Sequence, residues 1–380
     1  MVIAVPLQKD ILDNDLTLVY IGARIGLEHG WNHIYSLDLQ HQLFTQLRPV
    51  AVFNDGERFL SPPPAAWLLA PFMFFGPAGV TYAWLLASVL ALVAAWWIAA
   101  PGTSSERILW LIFAFAWYPV QYSLSLAQSD VIILLAAVSS WKLADRGKPY
   151  VAGAVLAVSV LKPQLTLALP IVLLAAGRWR ITAAWAVTAG IFAVVSVVVI
   201  GQQGLSDYRS LLTEAQHVTN NRYFTPAYVL GPGLLSNVAQ AVVIVIGLAG
   251  AYLNRHSSLA RLFALGIVTT TLGATYWHLQ DYAILLGAAW LFWRDAPPNW
   301  QRWWLLVVAV GAELAWPLRP LPILIGLAVW LVCLALPQRP RSQGGQPDLV
   351  GNPPNDWSAQ PSAGRWHGKA GPRVEQMAEA

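Results

Sequence analysis

Charged side chains are scarce in this chain, 11% of 380 residues, so those that interrupt its apolar runs are the first candidates for chemistry. Asp15 closes the triplet Asp13-Asn14-Asp15 in a polar segment running from about residue 8 to residue 59. A carboxylate there can take a proton from a substrate hydroxyl as a general base if the hydroxyl comes within hydrogen-bond reach. Gln128 and Asp130 share one short turn between apolar runs, and His278 and Asp281 share another. Lys162 stands beside Pro163 inside an apolar stretch, where an ammonium needs a counter-charge or an anionic ligand. Arg24 and Tyr35 in the first polar segment, and Arg209 and Arg222 in residues 202–232, could bind an anionic substrate group such as a phosphate. Plainer roles stay open at this point. Asp15 and Asp130 could cap the helices they precede. His278 and Asp281 could be solvated at a span end, Lys162 could reach back to an interface, and the loop arginines could simply be hydrated.

Several chemistries lack their residues. The chain has no phosphate-binding glycine loop of Walker type, no His-Glu-x-x-His and no Gly-x-Ser-x-Gly. Cys333 is the only cysteine, which excludes internal disulfides and cysteine-based zinc sites. No ligand cluster argues for a metal, and no cofactor is expected. The net charge of +4 is small and its basic residues fall in short inter-helix loops, a topological pattern that does not suggest nucleic acid.

The elements that must position these residues are written in the apolar runs. Hydrophobic residues make up 57% of the chain, and its charged fraction is less than half the roughly 25% of soluble domains. Apolar runs of about 20 residues predict an all-α polytopic membrane bundle, because backbone groups in lipid must be bonded within each helix. Twenty Trp and twelve Tyr fit interfacial aromatic belts. Spans are expected at about 80–100, 108–126, 131–144, 181–201, 233–253, 262–277, 282–293, 303–316 and 321–337, about nine in all. Residues 15–29 read as an amphipathic helix and 65–75 as a short interfacial or re-entrant one. Residues 150–177, broken at Lys162-Pro163 and flanked by basic residues, read as two half-helices returning to one side. With that pairing, Arg107, Arg146, Arg178, Arg255, Arg294 and Arg339 all fall on one side, which the positive-inside rule makes cytoplasmic. The expected organisation is an extracytoplasmic first loop at 1–79, a bundle at 80–337 and a disordered cytoplasmic tail at 338–380. Met1 to Gln8 do not read as a signal peptide. No internal repeat argues for a transporter.

The run Asp15-Leu16-Thr17-Leu18-Val19-Tyr20-Ile21-Gly22-Ala23-Arg24, followed by Gly30 and Tyr35, resembles the opening of glycosyltransferase family 87. The resemblance continues through Ser61-Pro62-Pro63, Gln128-Ser129-Asp130, Leu161-Lys162-Pro163-Gln164, Gly177-Arg178-Trp179-Arg180, His278 and Tyr282. Asp130 stands where the family tends to have Asn, and fourteen residues precede Asp15 where members usually carry a transmembrane helix. The resemblance implies a GT-C type bundle, a polyprenyl-phosphate-linked sugar donor, typically mannose, and an active site on the extracytoplasmic face of a plasma membrane of bacterial type. The acceptor would be a glycolipid or glycan. It also implies that Asp15 is the catalytic base of an inverting transfer, with His278 a helper. Arg24, Tyr35, Gln128, Asp130, Lys162, Arg209, Arg222 and Asp281 are then candidates for holding substrate or phosphate. The rival readings are a lipid or small-molecule transporter or flippase without transferase chemistry, and a membrane acyltransferase, which would need a histidine placed with an acid or a second histidine in the bundle, a pair the sequence does not show.

Overall fold

The computed structural model describes residues 14–54, 56–215, 222–316 and 319–337, and among them every regular element is a helix. Asp13 and the tail at 338–380 lie outside the described residues. Three helices are long and apolar enough to cross a membrane: Pro63–Ala99, Trp179–Ala215 and Leu234–Leu253. A fourth span forms if Ser104–Ala116 and Tyr118–Ser125, bent by 55°, are taken together. The bend has a local cause. Pro119 would clash with the carbonyl of Phe115 in a continuous helix, and the Gln121 amide instead donates to the carbonyls of Phe115 at 2.9 Å and Ala116 at 3.1 Å.

Helices Asp130–Asp145, Leu259–Gly273, Leu285–Arg294, Asn299–Glu313 and Leu321–Ala335 occupy the other expected apolar runs, but each is 10 to 16 residues long. That is below the roughly 20 residues an untilted crossing needs. Length and composition therefore mark three spans, or four, where about nine were expected.

Residues 150–177 do break at Lys162-Pro163. Pro149–Leu156 continues as a 3-10 turn to Leu161, and Ala168–Ala175 resumes beyond the break. Both halves pack against the first turns of the long helix Trp179–Ala215. Gly153 sits so close to it that a Cβ there would stand 2.7 Å from Ala184 Cβ. From the other half, the Pro170 carbonyl accepts the Thr182 hydroxyl at 2.7 Å. The two halves thus form a hairpin with Lys162 at its tip.

Three segments differ from expectation. Residues 65–75 are not a separate short helix: Pro63–Leu69 runs through a 3-10 turn, Ala70–Phe75, into Gly76–Ala99. Residues 202–215 are not loop. The long helix passes Gly201, whose φ of +65° and ψ of −169° break its geometry, and resumes to Ala215. Only glycine adopts that backbone without a steric penalty, so one helix ends at Gly201 and a second leads directly on from the kink to Ala215. Within the first polar segment, Leu37–Leu47 is helical, burying Gln40, Leu43 and Phe44 on one face.

The described chain has two apolar cores. The smaller is built from Leu16, Tyr20, Ile34, Phe44, Phe59 and their neighbours, and takes in Ala127, Ile200 and Leu211 from the bundle. Gln40 ties it together by donating to the Ile34 carbonyl at 3.1 Å and accepting the Phe59 amide at 2.8 Å. The larger core fills the helices from residue 92 onward. At one end of this bundle the basic loops meet: Arg294 donates to the carbonyls of Ala99 and Ala100, Arg261 to those of Cys333 and Leu336, and Arg178 to that of Arg255. At the other end lie the tip of the Lys162 hairpin and the turns around residues 128 and 278.

Candidate active site

Asp15 immediately precedes helix Leu16–Glu28, yet its side chain does not cap it. Asn14 does, its Oδ1 accepting the Leu16 amide at 3.0 Å. The Asp15 carboxylate is therefore released from a local role, and its Oδ2 accepts a hydrogen bond from Gln128 Nε2. Gln128 is carried on a tight turn whose Ala127 has φ +52°. A non-glycine residue in that region costs about 1–2 kcal/mol, and the turn closes with Gln128 N donating to the Ser123 carbonyl at 2.9 Å.

The other end of the Gln128 amide meets Lys162. The ammonium donates to Gln128 Oε1 at 3.1 Å, to Asp130 Oδ1 at 2.7 Å and to Asp281 Oδ1. Both aspartate side chains are fully buried, and Lys162 keeps 12% exposure. Their remaining oxygens are also bonded: Asp130 Oδ2 accepts the Ser123 hydroxyl at 2.9 Å, and Asp281 Oδ2 accepts the His278 amide at 2.9 Å. Asp130 lies in the first turn of Asp130–Asp145 but turns inward to the lysine. The proline break is what allows this: it ends the helix at Leu161, and Lys162 adopts φ −151°, ψ 77° at the hairpin tip.

A cavity of about 810 Å³ opens at this end. Asp15, Gln128, Lys162 and His278 line it, with Arg58 and Arg222. Leu18, Val19, Trp84, Leu161 and Leu212 add an apolar wall. It therefore joins a carboxylate, an imidazole and two guanidinium groups to a surface suited to a greasy chain. The His278 ring meets Tyr276 edge-on at 4.7 Å. Burial raises the Asp15 carboxyl above its ordinary 3.8, against the Gln128 hydrogen bond and the charges of Lys162 and His278, which lower it. Burial lowers the His278 imidazole from 6.5, opposed by the negative charges of Asp281 and Asp15.

Other residues named from the sequence stand elsewhere. Arg24 pairs with Glu28 at 2.9 Å, one helical turn along the same helix, and does not line the cavity. Arg209 is exposed on the helical extension that sequence reading took for a loop. Tyr35 is buried, donating to the Ser61 carbonyl at 2.8 Å between the rings of Phe59 and Tyr208, with centroids 5.6 and 4.5 Å away. It supports the cavity wall from behind. Among the described residues no group of three His, Cys, Asp or Glu side chains converges as metal ligands.

Sequence reasoning passed over Arg58, which lines the cavity and forms an ion pair with Glu214, and Asn237 and Gln240, which also line it. The last two carried a visible signal, polar residues three apart near the head of an apolar helix. The Arg58–Glu214 pair joins residues 156 positions apart, and nothing local announces it.

A family model for glycosyltransferase family 87 matches residues 59–317. No curated protein and no solved structure matches the chain.

Proposed function

The chain belongs to glycosyltransferase family 87, and from that premise we propose that its cavity transfers a hexose, mannose for preference, from a polyprenyl-phosphate donor with inversion. As a glycosyltransferase it uses a sugar donor and an acceptor, and its apolar helices make it a membrane protein. The observation that carries the finer reading is the Asp15 carboxylate, held by Gln128 on the wall of a cavity that also presents Arg58, Arg222 and His278 beside apolar side chains.

In this reading Asp15 accepts the proton of an acceptor hydroxyl as its oxygen bonds to the anomeric carbon. The bond from that carbon to the phosphate oxygen breaks at the same time, and the phosphate leaves with the electron pair. A base must lie within hydrogen-bond reach of the hydroxyl, and preorganised cations stabilise charge growing on the leaving oxygen. Arg58 and Arg222 are the cations suited to that second task, and His278 is a neutral donor or acceptor beside them. Arg24 and Arg209 have no part in it in this reading, because neither lines the cavity. The polyprenyl chain would lie along the apolar wall formed by Leu18, Val19 and Leu212.

The same reading assigns the sides. The end where Arg178, Arg255, Arg261 and Arg294 gather would face the cytoplasm under the positive-inside rule, with the tail after residue 337. The cavity would then open on the extracytoplasmic face, toward a glycolipid or glycan acceptor. About nine tilted or short crossings with the Lys162 hairpin re-entrant would complete a GT-C type bundle.

Reconstitution tests it. Purified protein in liposomes given a polyprenyl-phosphate mannose and a membrane glycolipid extract should yield a lipid heavier by one hexose in mass spectrometry. Movement of the donor between leaflets with no new glycosidic bond would instead mark a flippase.

A further inference from the structure

We infer that Gln128 and Lys162 are positioning residues for Asp15 and not ligands of the donor's phosphate. The inference rests on the reading of Asp15 as the base and concerns how that base is aimed.

A glutamine amide has a donor end and an acceptor end, while an ammonium can only donate. Lys162 therefore dictates that Gln128 presents Oε1 to it, at 3.1 Å, and this leaves Nε2 no choice but to face Asp15. A carboxylate can only accept, so the orientation agrees at both ends of the amide. The ammonium has three N–H groups and three acceptors within the protein: Gln128, Asp130 and Asp281. The aspartates are in turn closed by Ser123 and by the His278 amide. Among the described residues the chain of bonds ends at Asp15, whose Oδ2 is taken by Gln128 and whose Oδ1 accepts no hydrogen bond. Oδ1 is thus the oxygen free to receive a proton, and the network fixes its direction. All three cations line the cavity, but a phosphate seeking Lys162 would have to displace a fully buried carboxylate, whereas the partner of Arg58 is the half-exposed Glu214. The charged groups that act on Asp15 are Lys162, His278 and Asp281, and the phenols of Tyr122 and Tyr276, neutral where a carboxyl titrates, lie within its field. Of these, only Lys162 also touches Gln128: Gln128→Met removes one of its three acceptors, whereas Gln128→Glu keeps one, and both aspartates still hold the ammonium.

Gln128→Met removes the donor to Asp15 at similar length, and Gln128→Glu places a second carboxylate against it. Two measurements on detergent-solubilised full-length protein decide the matter. The first is the affinity for polyprenyl phosphate, followed by tryptophan fluorescence. The second is the titration of the Asp15 carboxyl by infrared difference spectroscopy, assigned with Asp15→Asn. The inference predicts polyprenyl phosphate affinity within about twofold of wild type in both variants. It also predicts an upward shift of the Asp15 titration in Gln128→Met and a larger one in Gln128→Glu, where two carboxylates compete for one proton. Where turnover is measured, Gln128→Met should lower kcat by about 10- to 100-fold with KM unchanged, as expected for a misaimed group. A tenfold loss of polyprenyl phosphate affinity with the Asp15 titration unmoved would overturn it and return Gln128 to the phosphate site. Because the infrared titration needs no turnover, the inference can fail while the transferase reading stands, or the reverse.

Discussion

Gln128 donates to Asp15 across 113 positions of sequence, and that single bond joins the turn before helix Asp130–Asp145 to the start of the first helix. It explains why Asp15 is not a capping residue. Asn14 satisfies the helix end, and the Asp15 carboxylate is turned toward the cavity where the bundle and the smaller core meet.

The raised Asp15 pKa fixes the direction of a pH effect. A base works only when ionised, and burial lifts this carboxyl above 3.8. As pH falls through the raised value, kcat/KM should drop about tenfold per unit, beginning at a higher pH than an ordinary carboxylate would give. His278, lowered by burial, stays neutral above its ordinary 6.5 and adds no loss near neutrality. A kcat/KM profile that remains flat down to about pH 4 would contradict the assignment.

Lys162→Met should be among the most destabilising single changes in the chain. It leaves Asp130 and Asp281, both fully buried, without their shared counter-charge. Removing one member of a buried ion pair costs about 3–5 kcal/mol. Thermal unfolding in detergent should show a large fall in midpoint, and an unchanged midpoint would mean that the carboxylates are neutral or paired elsewhere.

Two arginines chosen alike from the sequence should part company. Arg24 forms only a surface pair with Glu28, so Arg24→Ala should change stability by about 0.5 kcal/mol or less and leave donor KM as it was. Arg222 lines the cavity. Arg222→Gln should raise donor KM about tenfold, the effect of losing one charge-assisted hydrogen bond. Steady-state kinetics on the two variants makes the comparison.

These cases also mark what can be read from residues alone. Apolar length announces Gly76–Ala99 and Leu234–Leu253, and proline announces the break at Lys162. Residues 202–215 look like a loop in sequence, because glycine stands at 201 and polar residues follow it. Tyr208 and Leu211, which pack inward, lie on one face of a helix. Arg24 and Arg209 carry a suitable charge, but neither lines the cavity. Asp15, Gln128, Asp130, Lys162 and Asp281 stood out singly, as polar groups among apolar runs. Their mutual bonds span 113, 34, 32 and 119 positions and exist only after folding. Arg58 sits in an ordinary polar run, and only its partner Glu214 gives it meaning.

The central claim is that Asp15 is the base of a sugar transfer, and Asp15→Asn tests it most directly. The amide preserves shape but cannot take the proton, so hexose transfer from polyprenyl-phosphate mannose should fall by about 10² to 10⁴ fold. Expression, detergent stability and polyprenyl phosphate binding should persist. Transfer at the wild-type rate by a stable Asp15→Asn protein would contradict the account.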